Sequence, residues 1–267
     1  VSKVSDALRA LQARIRAQAH TQPGDDAISL VLGGHQCGSM APRTANCLAG
    51  VRGFVRFGAT VQLEDTQLDV NGRSQRLHDA AQALLRAGLI GAWRTEELDV
   101  RAAPDAPVLA RIDRSAVRAL GITTYSVHCN GYTADGRLLV AQRAADKRVD
   151  PGLWDNLAGG MIAAGESARA ALEREAFEEA GIRLAALPVQ AGARLSVRRR
   201  IGEGMLSEFV QVFDVALPPG TRAVNQDGEV ARFSARAPAA VIAAIEQGEF
   251  TVEAALATIE SLLRRAG

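Results

Sequence analysis

The chain has 267 residues, with 31 Lys and Arg against 30 Asp and Glu, 48% apolar and 23% charged residues. That length suggests two domains or one large one, and the composition readily supplies a core. A net charge of +1 removes the electrostatic basis for a general nucleic-acid or membrane-surface binder, and no apolar run of about 18 residues is present to span a bilayer.

The first 22 residues show no signal-peptide pattern. Over about 2–20, Val4, Leu8, Leu11 and Ile15 fall on one helical stripe. Ile28–Leu32 is a short apolar run ending in Gly33-Gly34, so it reads as a strand and a turn, with Gly34-His35-Gln36 also a turn. Val51–Phe57 and Thr60–Leu63 read as a hairpin, and Leu68–Val70 with Asn71-Gly72 as a strand and a turn. Leu77–Leu89 and Ile112–Leu120 read as helices. From Thr123 the texture changes, and a domain boundary is placed there: 1–122 and 123–267. Thr124–Thr133 and Arg137–Arg143 flank Asp135-Gly136, a hairpin signal. Leu153–Ile162 is extended and Gly-rich, and Ser167–Ala180 is the clearest helix. Val189–Arg199, Met205–Leu217 and Glu229–Ser234 are predicted strands, and Pro238–Gln247 and Thr251–Arg265 closing helices. The three cysteines, Cys37, Cys47 and Cys129, are odd in number and match no zinc spacing. A reducing, cytoplasmic setting is expected.

The stretch from Gly160 to Ile182 carries the chemistry. At about 100° per residue, Ala168, Leu172, Ala176 and Ala180 form an apolar stripe fit to dock on a sheet. Glu175, Glu178 and Glu179 lie in one arc beside it. Carboxylates at i, i+3 and i+4 repel one another, and these sit at the helix C-terminus, where the macrodipole disfavours anions. Three glutamates alone read first as a solvated acidic face. As a site they point to a cation, and oxygen-only ligands favour Mg²⁺ or Mn²⁺ over zinc. Gly181 supplies a left-handed stop.

In full the stretch reads Gly160, Glu166, Arg174, Glu175, Ala176, Glu178, Glu179, Gly181 and Ile182, and this spacing resembles the Nudix box. Ala176 departs from the pattern, which usually has a larger aliphatic. The resemblance implies an α/β fold, a Nudix α/β/α sandwich, with a smaller α+β domain at the N-terminus. It implies metal-dependent hydrolysis of a diphosphate linked to another group. It makes Glu178 and Glu179 metal ligands, Glu175 a ligand or base, and Arg174 a carboxylate-orienting group. Glu166 then supports the metal shell, and the Gly160 carbonyl is a further ligand. Mg²⁺ or Mn²⁺ is the implied cofactor.

Outside the box, Glu229 is an extra base or ligand candidate, or a surface glutamate at the start of a strand; Glu208 is a weaker one. Lys147 and Arg148 precede the box strand and could hold a phosphate. Trp154 could stack on a ring, or pack in the core or at its rim. His128, Tyr132 and Cys129 read as core residues first. Val127–Tyr132, Arg143, Asp150–Gly160 and Gly33–Pro42 resemble a Nudix subgroup whose N-terminal domain has no assigned function. Some members of that subgroup act on thiamine diphosphate or its damaged analogues. The resemblance therefore implies cleavage of a thiamine-type diphosphate to the monophosphate. The alternatives are ADP-ribose, another nucleoside diphosphate derivative or a dinucleotide, with isoprenoid diphosphate isomerisation and a non-catalytic binding protein behind them. The expected partner is a small-molecule diphosphate, with no nucleic acid and no membrane, and a homodimer is an open assembly.

Overall fold

A computed structural model describes residues 3–266; Val1, Ser2, Gly267 and the side chains of Lys3 and Val4 lie outside the described residues. The chain opens with α1 (Lys3–Ala19), β1 (Ile28–Leu32), β2 (His35–Met40), α2 (Pro42–Ala49), β3 (Phe54–Phe57), β4 (Thr60–Leu63) and α3 (Val70–Arg86). Next come β5 (Glu97–Arg101), β6 (Val108–Asp113) and the short α4 (Val117–Leu120). The second half runs β7 (Thr124–Tyr132), β8 (Leu138–Arg143), β9 (Trp154–Asp155), β10 (Ala158–Met161) and α5 (Ala168–Ala180). It closes with β11 (Val189–Ile201), β12 (Gly204–Ala216), β13 (Val230–Arg236), α6 (Pro238–Glu246) and α7 (Val252–Ala266).

The second half is built on a seven-stranded mixed sheet in the order β11-β12-β7-β8-β13, with β10 joined to β7 and β9 to β8. Side chains alternate between its faces. Val127, Cys129, Phe213 and Val215 point to one face and pack on Ala171, Leu172, Ala176 and Ala180 of α5. Val210, Val212, Leu138 and Val140 point to the other, beneath α6 and α7. Helices on both faces make an α/β/α sandwich. Two further antiparallel or mixed units complete the first half: a four-stranded sheet, β2-β1-β4-β3, and the β5-β6 ribbon. They share one core with α2, α3 and α4, into which Met161 of β10 also inserts.

Four differences from the sequence reading stand out. Asp69 does not precede a turn; its carboxylate accepts the Gly72 N–H at 2.7 Å and caps α3, so a helix starts where a strand and turn were expected. Ile112 lies in β6, which ends at Asp113, and the helical turn starts only at Arg114. His35 and Gln36 belong to β2, after Gly33 and Gly34 have made the turn at positive φ. Lastly, α1 precedes the first domain in sequence but packs with the second: Leu8, Leu11, Ile15 and Ala19 share a core with β11, β12 and α7. A cut after residue 122 therefore separates the sandwich from its outermost helix.

Candidate active site

The box helix is positioned at both ends. Ser167 accepts the Ala170 N–H at 3.2 Å and caps the start of α5, and Gly181 ends it at φ 66°, as the sequence predicted. Burial of its alanine stripe against the sheet aims Glu175 and Glu179 at β10. There the backbone approaches so closely that a side chain on Gly160 would collide with the Glu175 carboxylate. Only glycine leaves room for this contact.

Arg174 gathers the acids around it. It donates to Glu166 through Nε at 3.1 Å and Nη2 at 3.0 Å, to Glu175 at 2.7 Å, to Glu178 at 3.1 Å and to the Met161 carbonyl at 3.0 Å. Those carboxylates raise its pKa further, Glu166 foremost. Glu166 is also fixed by the Ala163 N–H at 3.1 Å. Glu179 is buried and accepts the Gly159 N–H at 2.9 Å. Burial, then the Glu175 carboxylate, pushes Glu179 well above the usual carboxylate range; burial likewise raises Glu175.

These residues form one wall of an open cavity of about 250 Å³. Ten of its lining residues carry carboxylates and six carry cationic side chains, an excess of negative charge suited to a bound cation. Glu175, Glu178, Glu179 and Gly160 all line it, and their oxygen-only donors fit Mg²⁺ or Mn²⁺. Among the described residues, no three His, Cys, Asp or Glu groups already converge as an ion site, because Glu175 and Glu178 are turned toward Arg174. Glu166 stands outside the cavity, behind Arg174. Glu229 lines the cavity and forms an ion pair with Lys147, which holds its carboxyl below the usual range despite burial.

Two expected contacts are corrected. Trp154 does not line the cavity. On β9 successive side chains alternate, so Asp155 faces the cavity while Trp154 packs with Phe250, its ring centroid 3.8 Å from the Arg236 guanidinium. Arg148 also lies outside this cavity; it is exposed and reaches Glu203 at 3.6 Å.

The structure places Glu208, the weaker candidate, at the cavity wall and adds contacts and residues that the sequence reading missed. Arg143 donates to Asp155 at 3.1 Å, and His128 Nδ1 lies 2.8 Å from the Asn156 amide oxygen. Glu208 and Glu253 are both buried at the cavity wall; Arg199 bridges Glu253 at 3.3 Å and Asp150 at 2.5 Å. Burial, then the charge of Glu253, raises Glu208. Arg114, Arg118 and Glu96 enter the cavity from the first half of the chain. Glu253, in the first turn of α7, looks in sequence like an ordinary helix-dipole partner. Nothing local marks Arg114 or Arg118, because their place in the cavity is set by how the two halves pack.

Comparisons with known proteins agree with this fold and box. The NUDIX domain family matches residues 124–256, and a domain of unknown function, DUF4743, matches residues 8–124. The chain thus carries a region that matches the NUDIX domain behind one that matches DUF4743. It is 30% identical over 230 residues to "Nudix hydrolase 20, chloroplastic" of Arabidopsis thaliana, covering 83% of this chain and 59% of that protein. It is 27% identical over 228 residues to "Nudix hydrolase 24, chloroplastic" of the same plant, covering 80% and 60%. The chain thus spans about three fifths of the length of these relatives. Among solved structures, DR0079 from Deinococcus radiodurans superposes with a TM-score of 0.50 at 24% identity, covering 64% of this chain and 98% of that one. This likeness bears on the fold. No described helix is long and apolar enough to cross a membrane.

Proposed function

We propose that this protein is a divalent-metal-dependent diphosphate hydrolase. The observation that carries the reading is the convergence of Glu175, Glu178 and Glu179 with Gly160 on one cavity wall, organised by Arg174. A divalent ion held by these oxygens would offset diphosphate charge and lower the pKa of a bound water. Arg174 bonds one oxygen of Glu175 and one of Glu178, which leaves the other oxygen of each to serve as a ligand, and its grip on Glu166 keeps the guanidinium in place. Glu229, ionised beside Lys147, is the base candidate on the opposite wall, and Lys147 and Arg143 offer charge to phosphate oxygens. The boundary near residue 122 is kept for the catalytic unit, with α1 added to it.

For the substrate we propose a thiamine-type diphosphate, as the subgroup resemblance implied. The support is that resemblance alone: Arg199 pairs with Glu253 and Asp150, and burial raises Glu208, so this wall holds little free charge for a cationic ring. Trp154, packed with Phe250 in the core, is not proposed as the ring wall. Isoprenoid isomerisation has a relative in its favour, an isopentenyl-diphosphate Delta-isomerase of Kocuria rhizophila that is 34% identical over 123 residues. That protein covers only 46% of this chain, and Cys129, the expected acid–base thiol, lies buried against α5 with its pKa pushed up to about 12 by burial.

The experiment is a diphosphate-cleavage screen with thiamine diphosphate, its oxidised analogues, ADP-ribose and NADH, each with Mg²⁺ or Mn²⁺, its products (inorganic phosphate or phosphomonoesters) resolved chromatographically. Metal-dependent cleavage of any of them supports the hydrolase. A preference for ADP-ribose above tenfold in kcat/KM over every thiamine compound overturns the thiamine reading alone.

A further inference from the structure

Beside the metal cavity lies a second one of about 410 Å³, at the seam between α2, the segment before β5, α4 and the β11–β12 turn. Arg43, Arg94, Arg114, Arg118 and Arg148 line it, and Glu203 is its one acidic residue. Glu203 is already engaged by Arg118 at 2.6 Å and Arg148 at 3.6 Å. Arg43 and Arg94 are exposed, and among the described residues neither guanidinium has a carboxylate partner. Arg114 pairs with Glu96 at 2.7 Å, so Arg43 and Arg94 carry the uncompensated charge of this concavity, and an anion beside them would be held by bidentate, charge-assisted bonds. Arg114 and Arg118 belong to both cavities, so a single ligand could reach from one to the other. Between them Thr95 sits at φ 57°, unusual for a β-branched residue. This local bend sends Arg94 to the arginine cavity and Glu96 to the metal cavity.

We infer that the N-terminal domain supplies an anion subsite to the neighbouring catalytic cavity, and that it takes a terminal, singly substituted phosphate dianion at one end of the substrate. The inference rests on the hydrolase reading for its role, though not for its existence. Two sources share this chemistry: the terminal phosphate of an unsubstituted diphosphate, as in thiamine diphosphate, and a phosphate on a sugar hydroxyl. Arg43 and Arg94 provide its free charge, Arg114 and Arg118 its shared wall. The size of the cavity leaves room for the group that bears the phosphate as well as the phosphate itself.

The test has two arms on the full chain. In EDTA, inorganic phosphate is titrated calorimetrically into the wild type, Arg43→Ala/Arg94→Ala and Arg43→Lys/Arg94→Lys. Metal-free, the acidic cavity repels phosphate, so the heat reports the arginine cavity. Saturable binding that weakens at least tenfold in the alanine variant and recovers partly in the lysine variant is expected. Absence of saturable binding, or equal affinity in all three, overturns the subsite. In Mg²⁺, kcat/KM ratios are measured for NADPH against NADH and for thiamine diphosphate against ADP-ribose. The ratio that falls at least tenfold in the alanine variant identifies the source of the phosphate. If neither ratio moves, the subsite does not serve the substrate and the inference fails. If nothing is cleaved while phosphate binding behaves as expected, the hydrolase reading fails and the anion site stands.

Discussion

Glu179 occupies a helix face that is otherwise core, and burial raises its pKa well above the usual value of about 4.3. The folded, metal-free protein then holds a proton that the unfolded chain has lost, so its stability falls as pH rises from about 4.3 through the raised value. Glu179→Gln cannot ionise and loses this dependence. Thermal unfolding in EDTA is expected to show a smaller drop in Tm between pH 5 and pH 8 for the variant than for the wild type. An equal drop in both would assign the pH response to other groups. Trp154 makes a different case at the same scale. Its sequence position six residues before Gly160 suggested a substrate contact, but the alternation of β9 sends it to the core. Trp154→Ala should destabilise the fold by about 3–5 kcal/mol and leave KM unchanged at a temperature where the variant is folded. A raised KM with unaltered stability would restore the stacking role.

The last helix is fastened to the central strand by a buried polar network. Asn156 donates to Asn130 at 2.8 Å and to Thr258 at 3.0 Å, and Asn130 donates to Asp214 at 3.1 Å. Ser261 and Arg264 of α7 donate to Asp214 at 2.7 and 2.9 Å. Removing one member strands the others without partners, at a cost of about 1–3 kcal/mol. Asp214→Ala should therefore lower the urea midpoint and speed amide exchange in α7 more than in α5; uniform exchange would show that the network is not a local latch. None of this is readable from sequence, where Asn130, Asn156 and Asp214 are scattered. What could be read was local. The alanine stripe and Gly181 of α5 gave its face and its end, and two β-rich runs flanking Asp135-Gly136 gave β7 and β8. Asp69 shows the limit: Asn71-Gly72 carries turn chemistry, but a carboxylate three residues before Gly72 caps a helix instead. The box glutamates were legible because their spacing is fixed within one helix. Glu253, Arg114 and Arg118 were not, because only packing of distant segments brings them to the cavity.

At the scale of the whole chain, α1 crosses from the first half to cover the outer core of the second, so the two halves are not simply consecutive. The α1 residues Leu8, Leu11 and Ile15 are buried against elements that include α7 and β11. Leu11→Ala should cost about 2–5 kcal/mol, and a 123–267 fragment should show weaker near-UV circular dichroism than a chain retaining α1. A fragment as well ordered as the full chain would make α1 dispensable. The most direct test of the central claim is the turnover of a cleavable diphosphate by wild type and Glu179→Gln, each with saturating Mg²⁺ and with EDTA. Wild-type activity should vanish in EDTA, and kcat should fall at least about 100-fold in the folded variant with Mg²⁺, because a neutral amide gives up the charge that holds the ion. Turnover that persists in EDTA, or a variant as fast as wild type in Mg²⁺, would contradict a metal-dependent site built on the glutamates of α5.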